Sequence, residues 1–67
     1  MNIEQVKEAM DMLNIFADSI RENISLLEEH VKRQEENEIK KAYELLLDTE
    51  INRIYVIEEI IHKLESD

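Results

Sequence analysis

The chain lacks cysteine, glycine and proline altogether, and each absence excludes something. Without cysteine, neither a disulfide nor a thiolate metal site supports a chain of 67 residues, a size that buries only about 60% of its unfolded surface. Without glycine and proline, the residues that most often break helices are missing. Glu, Lys, Leu, Ile and Met dominate instead, and all of them favour helix. The sequence therefore predicts an all-α protein supported by regular helix packing or by dimerisation.

Long apolar runs and aromatic residues are also scarce. The longest apolar runs, such as Leu45–Leu47, are a few residues long, and the N-terminal stretch MNIEQVKEAM has no hydrophobic core. We therefore predict no membrane span, no signal peptide and a cytoplasmic location. The aromatic residues Phe16, Tyr43 and Tyr55 are too few for a base-stacking platform, and a net charge of −9 opposes direct nucleic-acid binding.

Two amphipathic segments fill most of the sequence. In the first, apolar residues follow each other in alternating steps of three and four, as in a heptad repeat: Ile3, Val6, Met10, Leu13, Ala17, Ile20, Ile24, Leu27 and Val31. The second keeps this alternation with Glu50 as its one break: Tyr43, Leu47, Glu50, Ile54, Ile57, Ile61 and Leu64. We predict a single helical-hairpin domain, residues 1–67, with helix one at about 2–33, a turn at about 34–37 and helix two at about 38–65.

The stretch KRQEENEIKK, residues 32–41, carries the turn. Its basic start suits the end of one helix and its acidic middle suits the beginning of another. Asn37 is the best candidate for a cap, either in a left-handed conformation that ends the turn or as N-cap of helix two. Since no glycine or proline marks the turn, a single continuous helix is the alternative.

Glu50 and Arg53 fall where the spacing of helix two calls for apolar side chains. If the chain folds back near residues 34–37, residues whose numbers sum to about 71 lie at the same level. Glu50 then faces Arg21, and Arg53 faces Asp18, so two ion pairs on the flank of the hairpin are expected. Glu50 and Arg53 also stand three apart and can pair with each other. Alternatively, Glu50 of one chain meets Arg53 of another and fixes the register of a dimer.

The apolar surface of helix two is wider than one partner helix can cover, and helix one has a second stripe of mixed polarity. We therefore predict a homodimer that forms an antiparallel four-helix bundle. Alternatively, this surface binds an apolar helical groove on another protein. The expected interface and register residues are Asp18, Arg21, Glu50 and Arg53, together with Met12, Ile15, Leu26, Leu46, Val56 and Ile60.

Carboxylates gather on the outer faces of both helices, and we call them the acidic surface: Glu4, Asp11, Asp18, Glu22, Glu29, Glu44, Asp48, Glu58 and Glu59. Such a surface attracts and steers a basic protein partner. A special case is a DNA mimic, whose carboxylates imitate a row of phosphates. A solvated surface that only keeps the protein soluble is the alternative.

Nothing in the sequence predicts catalysis. Glu59 and His62 have the E-x-x-H spacing of di-metal helical bundles, but both point away from the seam, whereas that chemistry needs them inward. No serine or threonine has a histidine and an acid placed to activate it, and there is no glycine-rich phosphate loop. We therefore expect a non-enzyme that uses no metal or other cofactor.

The layout of a helical hairpin with heptad seams resembles the plasmid copy-number regulators, which are dimeric four-helix bundles that bind RNA. It is also similar to small antikinase hairpins that dock on histidine-kinase bundles and to acidic inhibitors from phages. These resemblances imply a bundle fold and a bacterial or phage regulator, although the acidic outer faces depart from an RNA-binding face. We predict a small non-enzymatic interaction module, a regulator or inhibitor that binds and blocks a protein partner. The alternatives are a DNA-mimic inhibitor and a purely structural assembly module.

Overall fold

The computed structural model describes residues 2–66 and contains two helices, α1 (Ile3–Arg33) and α2 (Glu38–Ser66). The helices run antiparallel side by side, so the described chain is an all-α helical hairpin, as predicted. The Cα atoms extend over 51 × 14 × 12 Å. Both helices begin and end within about two residues of the positions expected from the heptad pattern. Neither helix, over residues 2–66, has a stretch long and apolar enough to cross a membrane.

The heptad seams predicted from the sequence form the contact between the helices. Every seam residue from Val6 to Leu64 is buried or partly buried. The deepest apolar side chains are Ala17, Ile20, Leu27 and Ile54. Ile3 is exposed, because it lies beyond the level at which α2 ends in the described chain. The core of the described hairpin is therefore thin, with four buried apolar side chains at its centre.

Asparagine caps begin both helices. Asn2 Oδ1 accepts hydrogen bonds from the backbone N–H groups of Glu4, at 2.8 Å, and Gln5, at 3.4 Å. Asn37 Oδ1 accepts one from the N–H of Lys40 at 3.0 Å. Because these N–H groups have no partner within the helix, a short polar side chain at the cap stabilises the first turn. Asn37 is therefore the N-cap of α2, and of its two predicted roles the left-handed one is not adopted.

The turn between the helices needs no glycine, because no described residue has a positive φ. Lys40, in the first turn of α2, is partly buried and donates a hydrogen bond from its ammonium group to Glu36 Oε1 at 2.9 Å. This hydrogen bond and the charges of Glu36 and Glu44 raise the pKa of Lys40 above its ordinary value. The aliphatic stem thus covers the end of the seam while the charge remains in water.

The register across the seam differs from the expected one by two residues. Asn23 is bonded to Glu50, and His30 stacks on Tyr43, so the numbers of facing residues sum to 73 rather than 71. Side chains lean toward the N-terminus of their own helix by about one residue. In antiparallel helices the two leans point in opposite directions along the hairpin. Each lean therefore adds one to the sum of the numbers of two facing side chains, which accounts for 73 in place of 71.

Candidate interaction surfaces

A buried carboxylate interrupts the apolar seam at Glu50, which is only 6% exposed. Its Oε2 accepts a hydrogen bond from Arg53 Nη1 at 2.8 Å, and its Oε1 accepts one from Asn23 Nδ2 at 3.1 Å. Both donors lie at the rim of the seam, so each carboxylate oxygen is satisfied while the stem remains packed. The pairing of Glu50 with Arg53, three residues apart, is one of the arrangements that the sequence predicted.

The two predicted cross-helix ion pairs are wrong, because Arg21 and Asp18 lie on one side of the seam and Arg53 on the other, and because the register differs. Glu50 faces Asn23 instead of Arg21. Arg21 instead bridges Asp18 on its own helix, at 3.2 Å, and Glu58 on α2, at 3.7 Å. Asp18 therefore does not pair with Arg53, whose partner is Glu50. The side chains of Arg21, Asp18 and Glu58 are all more than half exposed, so these bridges add little to stability.

A second heptad stripe runs beside the seam on each helix, again in steps of three and four. It comprises Ala9, Met12, Phe16, Ser19, Asn23, Leu26 and His30 in α1 and Ile39, Ala42, Leu46, Thr49, Arg53, Val56, Ile60 and Lys63 in α2. All of these residues are exposed except His30, which is partly buried. None of them is acidic, although the chain has 17 Asp and Glu residues. We call this surface the carboxylate-free face.

Contacts place the two stripes on the same side of the hairpin. A shallow depression of about 270 Å³ is lined by Asn23, Leu26 and Leu27 of α1 and by Leu46 and Glu50 of α2. The bridge between Arg21 and Glu58 lies on the opposite side of the seam, as the heptad positions of these residues require. The hairpin therefore has one mostly apolar broad face and one charged broad face.

The apolar residues predicted for the interface are all exposed: Met12, Ile15, Leu26, Leu46, Val56 and Ile60. Five of them belong to the carboxylate-free face, and Ile15 lies one position outside the stripe. Phe16 is also exposed and occupies the stripe, but it was not among the residues predicted for the interface. Its place in the three-and-four spacing of Met12 and Ser19 is the signal that identifies it.

Every member of the acidic surface is exposed. Four members have a basic partner in the described chain: Asp18 and Glu58 with Arg21, Glu29 with Arg33, and Glu59 with Lys63. The remaining members are Glu4, Asp11, Glu22, Glu44 and Asp48. Neutralisation is thus partial, and carboxylates on both helices still contribute to the local negative potential.

The rings of His30 and Tyr43 stack beside the turn, with centroids 5.3 Å apart and planes inclined by 18°. Tyr43 is the seam residue that the sequence predicts, but its stacking on His30 was missed because it depends on the register. His62 is exposed at the other end of the hairpin. Within residues 2–66, no three His, Asp or Glu side chains are grouped closely enough to hold a metal ion.

These surfaces and the fold define the chain as an all-α hairpin with two unlike broad faces. No protein-family model, curated protein or solved structure matches the chain.

Proposed function

We propose that this protein is a small, acidic, non-enzymatic interaction module that acts in the cytoplasm as a regulator or inhibitor. It self-associates through the carboxylate-free face and uses the acidic surface to bind and block a protein with a basic surface. The observation that carries the proposal is the separation of the two surfaces: carboxylates cover the outer sides of both helices, and none stands on the exposed apolar stripe.

The exposed area supports self-association. The hairpin exposes 5438 Å², whereas a compact monomeric protein of its mass, 8.0 kDa, exposes about 4,450 Å². The excess of roughly 1,000 Å² is comparable with the area that each partner contributes to a standard protein interface. Sedimentation equilibrium of the untagged chain at micromolar concentration tests this part of the proposal. A dimer mass is expected, and a folded monomer would contradict it.

The charge distribution supports a basic partner. The chain carries a net charge of −9, and its carboxylates lie on the sides that a dimer leaves open. Attraction through such a surface raises the rate of encounter with a basic protein and is weakened by salt. If the partner is a nucleic-acid-binding protein and nucleic acid competes for it, the module acts as a DNA mimic.

Charge reversal tests the role of the acidic surface. The variant Glu44→Lys/Asp48→Lys reverses two neighbouring members, and Glu8→Lys/Glu35→Lys makes the same change in net charge at exposed acids outside the surface. Proteins that bind the wild-type chain on a column are purified, and their affinity for the three chains is measured by calorimetry. The first variant is expected to bind at least about tenfold more weakly than the control. Equal affinity of both variants for the partner would show that the acidic surface does not bind it.

A further inference from the structure

A polar belt crosses the middle of the carboxylate-free face. Ser19, Asn23, Thr49 and Arg53 lie within about one helical turn of the same level, and Glu50 lies beneath them, bonded to Asn23 and Arg53. Toward the turn the face continues with Leu26, Ile39, Ala42 and Leu46. Toward the open end it continues with Met12, Phe16, Val56 and Ile60. Apart from His30 on the turn side and Lys63 at the open end, the order along the hairpin is therefore apolar, polar, apolar.

Any stripe with steps of three and four is symmetric about the middle of a four-residue step, and in α2 the step from Thr49 to Arg53 holds the polar belt. Thr49 and Arg53 stand two residues on either side of position 51, Leu46 and Val56 five, and Ala42 and Ile60 nine. All of these residues belong to the exposed stripe, so each is available to a second molecule.

The same spacing occurs in α1 around position 21. Ser19 and Asn23 stand two residues on either side of it, and Phe16 and Leu26 stand five. Positions 21 and 51 lie at nearly the same level along the hairpin. Their numbers sum to 72, which lies between the sum of 71 expected for the backbone and the sum of 73 observed for facing side chains. Both stripes thus share one centre of symmetry.

We propose that a second copy of this chain covers the carboxylate-free face, related to the first by a two-fold axis at right angles to the helices near positions 21 and 51. The two turns then lie at opposite ends of a four-helix bundle, and each helix packs against its own copy. The proposal rests on the self-association inferred above and adds its orientation and register. Leu46 meets Val56 of the second copy, Ala42 meets Ile60, and Phe16 meets Leu26.

Symmetry favours this orientation. A two-fold interface joins a surface to itself, so each residue and its opposite must suit each other in both directions. An axis parallel to the helices would pair equal levels and would need no symmetry in the order along the face. An axis across the helices needs residue types that match on either side of the centre, and the polar belt, with apolar residues next to it on both sides, meets that need. A shallow depression of about 350 Å³ on α2 is lined by Val56, Thr49 and Ile57, among others. In the proposed dimer it receives Leu46 of the second copy.

Charge favours the same orientation. An axis parallel to the helices would set Arg53 opposite Ser19 of the second copy and leave it with a single Glu50 carboxylate, that of its own chain. At the belt, Thr49 of one copy faces Arg53 of the other, so each Arg53 lies within reach of two Glu50 carboxylates.

Single cysteines test the orientation, because the chain has none of its own. Chains carrying Ala42→Cys are mixed with chains carrying Ile60→Cys under mild oxidation. A disulfide needs Cβ atoms within about 4.5 Å, so the mixed product is expected in roughly tenfold or greater excess over the Ala42→Cys homodimer, whose sulfurs would be about 27 Å apart along the axis. Asp48→Cys mixed with Ile60→Cys is the control, since Asp48 lies on the acidic surface. Circular dichroism of each variant checks that it remains helical.

The outcomes separate the two proposals. Preferential linkage of positions 42 and 60 supports the inference. An axis parallel to the helices would bring positions 42 and 30 to one level. If Ala42→Cys links to His30→Cys faster than to Ile60→Cys, the proposed orientation is wrong, but self-association is not contradicted. Linkage no faster than in the Asp48 control, in a chain that sediments as a dimer, overturns the choice of face. A monomeric wild-type chain overturns both proposals.

Discussion

At the scale of single residues, Glu50 is the feature that departs most from the heptad pattern. Its side chain occupies a seam position and is almost fully buried, whereas that of Arg53 is 58% exposed. The buried end of this pair therefore depends on its two donors, Arg53 and Asn23. Removing a donor leaves the buried carboxylate partly unsatisfied. The free-energy cost of that loss exceeds what an ion pair between two exposed side chains contributes to stability.

Replacing Arg53 by alanine is expected to lower the free energy of unfolding by about 1–2 kcal/mol. The lower end of that range allows for the exposure of the guanidinium group. The matched control is Arg21→Ala, whose ion pairs with Asp18 and Glu58 are exposed and whose loss should change stability by less than about 0.5 kcal/mol. Urea unfolding at one fixed protein concentration measures both changes. Equal losses in the two variants would mean that Glu50 does not depend on Arg53.

Replacing Glu50 and Arg53 together by leucine is expected to preserve the hairpin and raise its stability, because apolar side chains replace a buried charge at a seam position. The same change should loosen the choice of oligomeric state, since the polar belt no longer opposes other registers. Urea unfolding and sedimentation measure the two effects. Unfolding of the double variant at a lower urea concentration than wild type would refute the expectation.

At the scale of the helices, the sequence predicted the hairpin and its seam but not the side-chain pairs. The period of residues such as Ala17, Ile20 and Ile54 identifies the buried side of each helix, because burial follows from spacing alone. Facing pairs such as Asn23 and Glu50 depend also on the lean of side chains in antiparallel helices, which moves contacts by two residues. The candidate interface was predicted from the same spacing, except for Phe16.

The N-cap of α2 gives a test at this scale. Replacing Asn37 by alanine removes the hydrogen bond to the N–H of Lys40 and is expected to cost about 1 kcal/mol. Asn14→Ala is the control, because Asn14 is exposed in the interior of α1, where alanine is the better helix former. Thermal unfolding followed by circular dichroism should show a lower midpoint for the first variant and an equal or higher midpoint for the second. A higher midpoint for Asn37→Ala would mean that the cap does not stabilise the turn.

At the scale of the whole molecule, the hairpin separates apolar contact from charge. In the proposed dimer, the carboxylate-free face lets two chains with a net charge of −9 each approach without placing the acidic surfaces against each other. The acidic surface would then lie on the outside of the proposed bundle. Because the two surfaces interact through different forces, salt should affect their complexes in opposite directions.

Raising the salt concentration from 50 to 500 mM, about a threefold reduction in Debye length, is expected to strengthen self-association and weaken partner binding. Screening reduces the general repulsion between two acidic chains, whereas it removes attraction between the acidic surface and a basic protein. Sedimentation equilibrium measures the first effect, and calorimetry with the purified partner measures the second. Dissociation of the dimer at high salt would indicate that ion pairs hold it together.

The thin core also bears on how long the protein persists in a cell. Because four apolar side chains are buried in the described hairpin, we expect a lone chain to open more often than the proposed dimer and to be cleaved by proteases in its open form. A second molecule that covers the apolar stripe lowers the open fraction in proportion to its concentration. Chain abundance and chain lifetime are then linked, so a scarce protein is degraded quickly and a plentiful one is spared. For the proposed regulator, this link would set a dose threshold that arises from its own packing, without a separate control element.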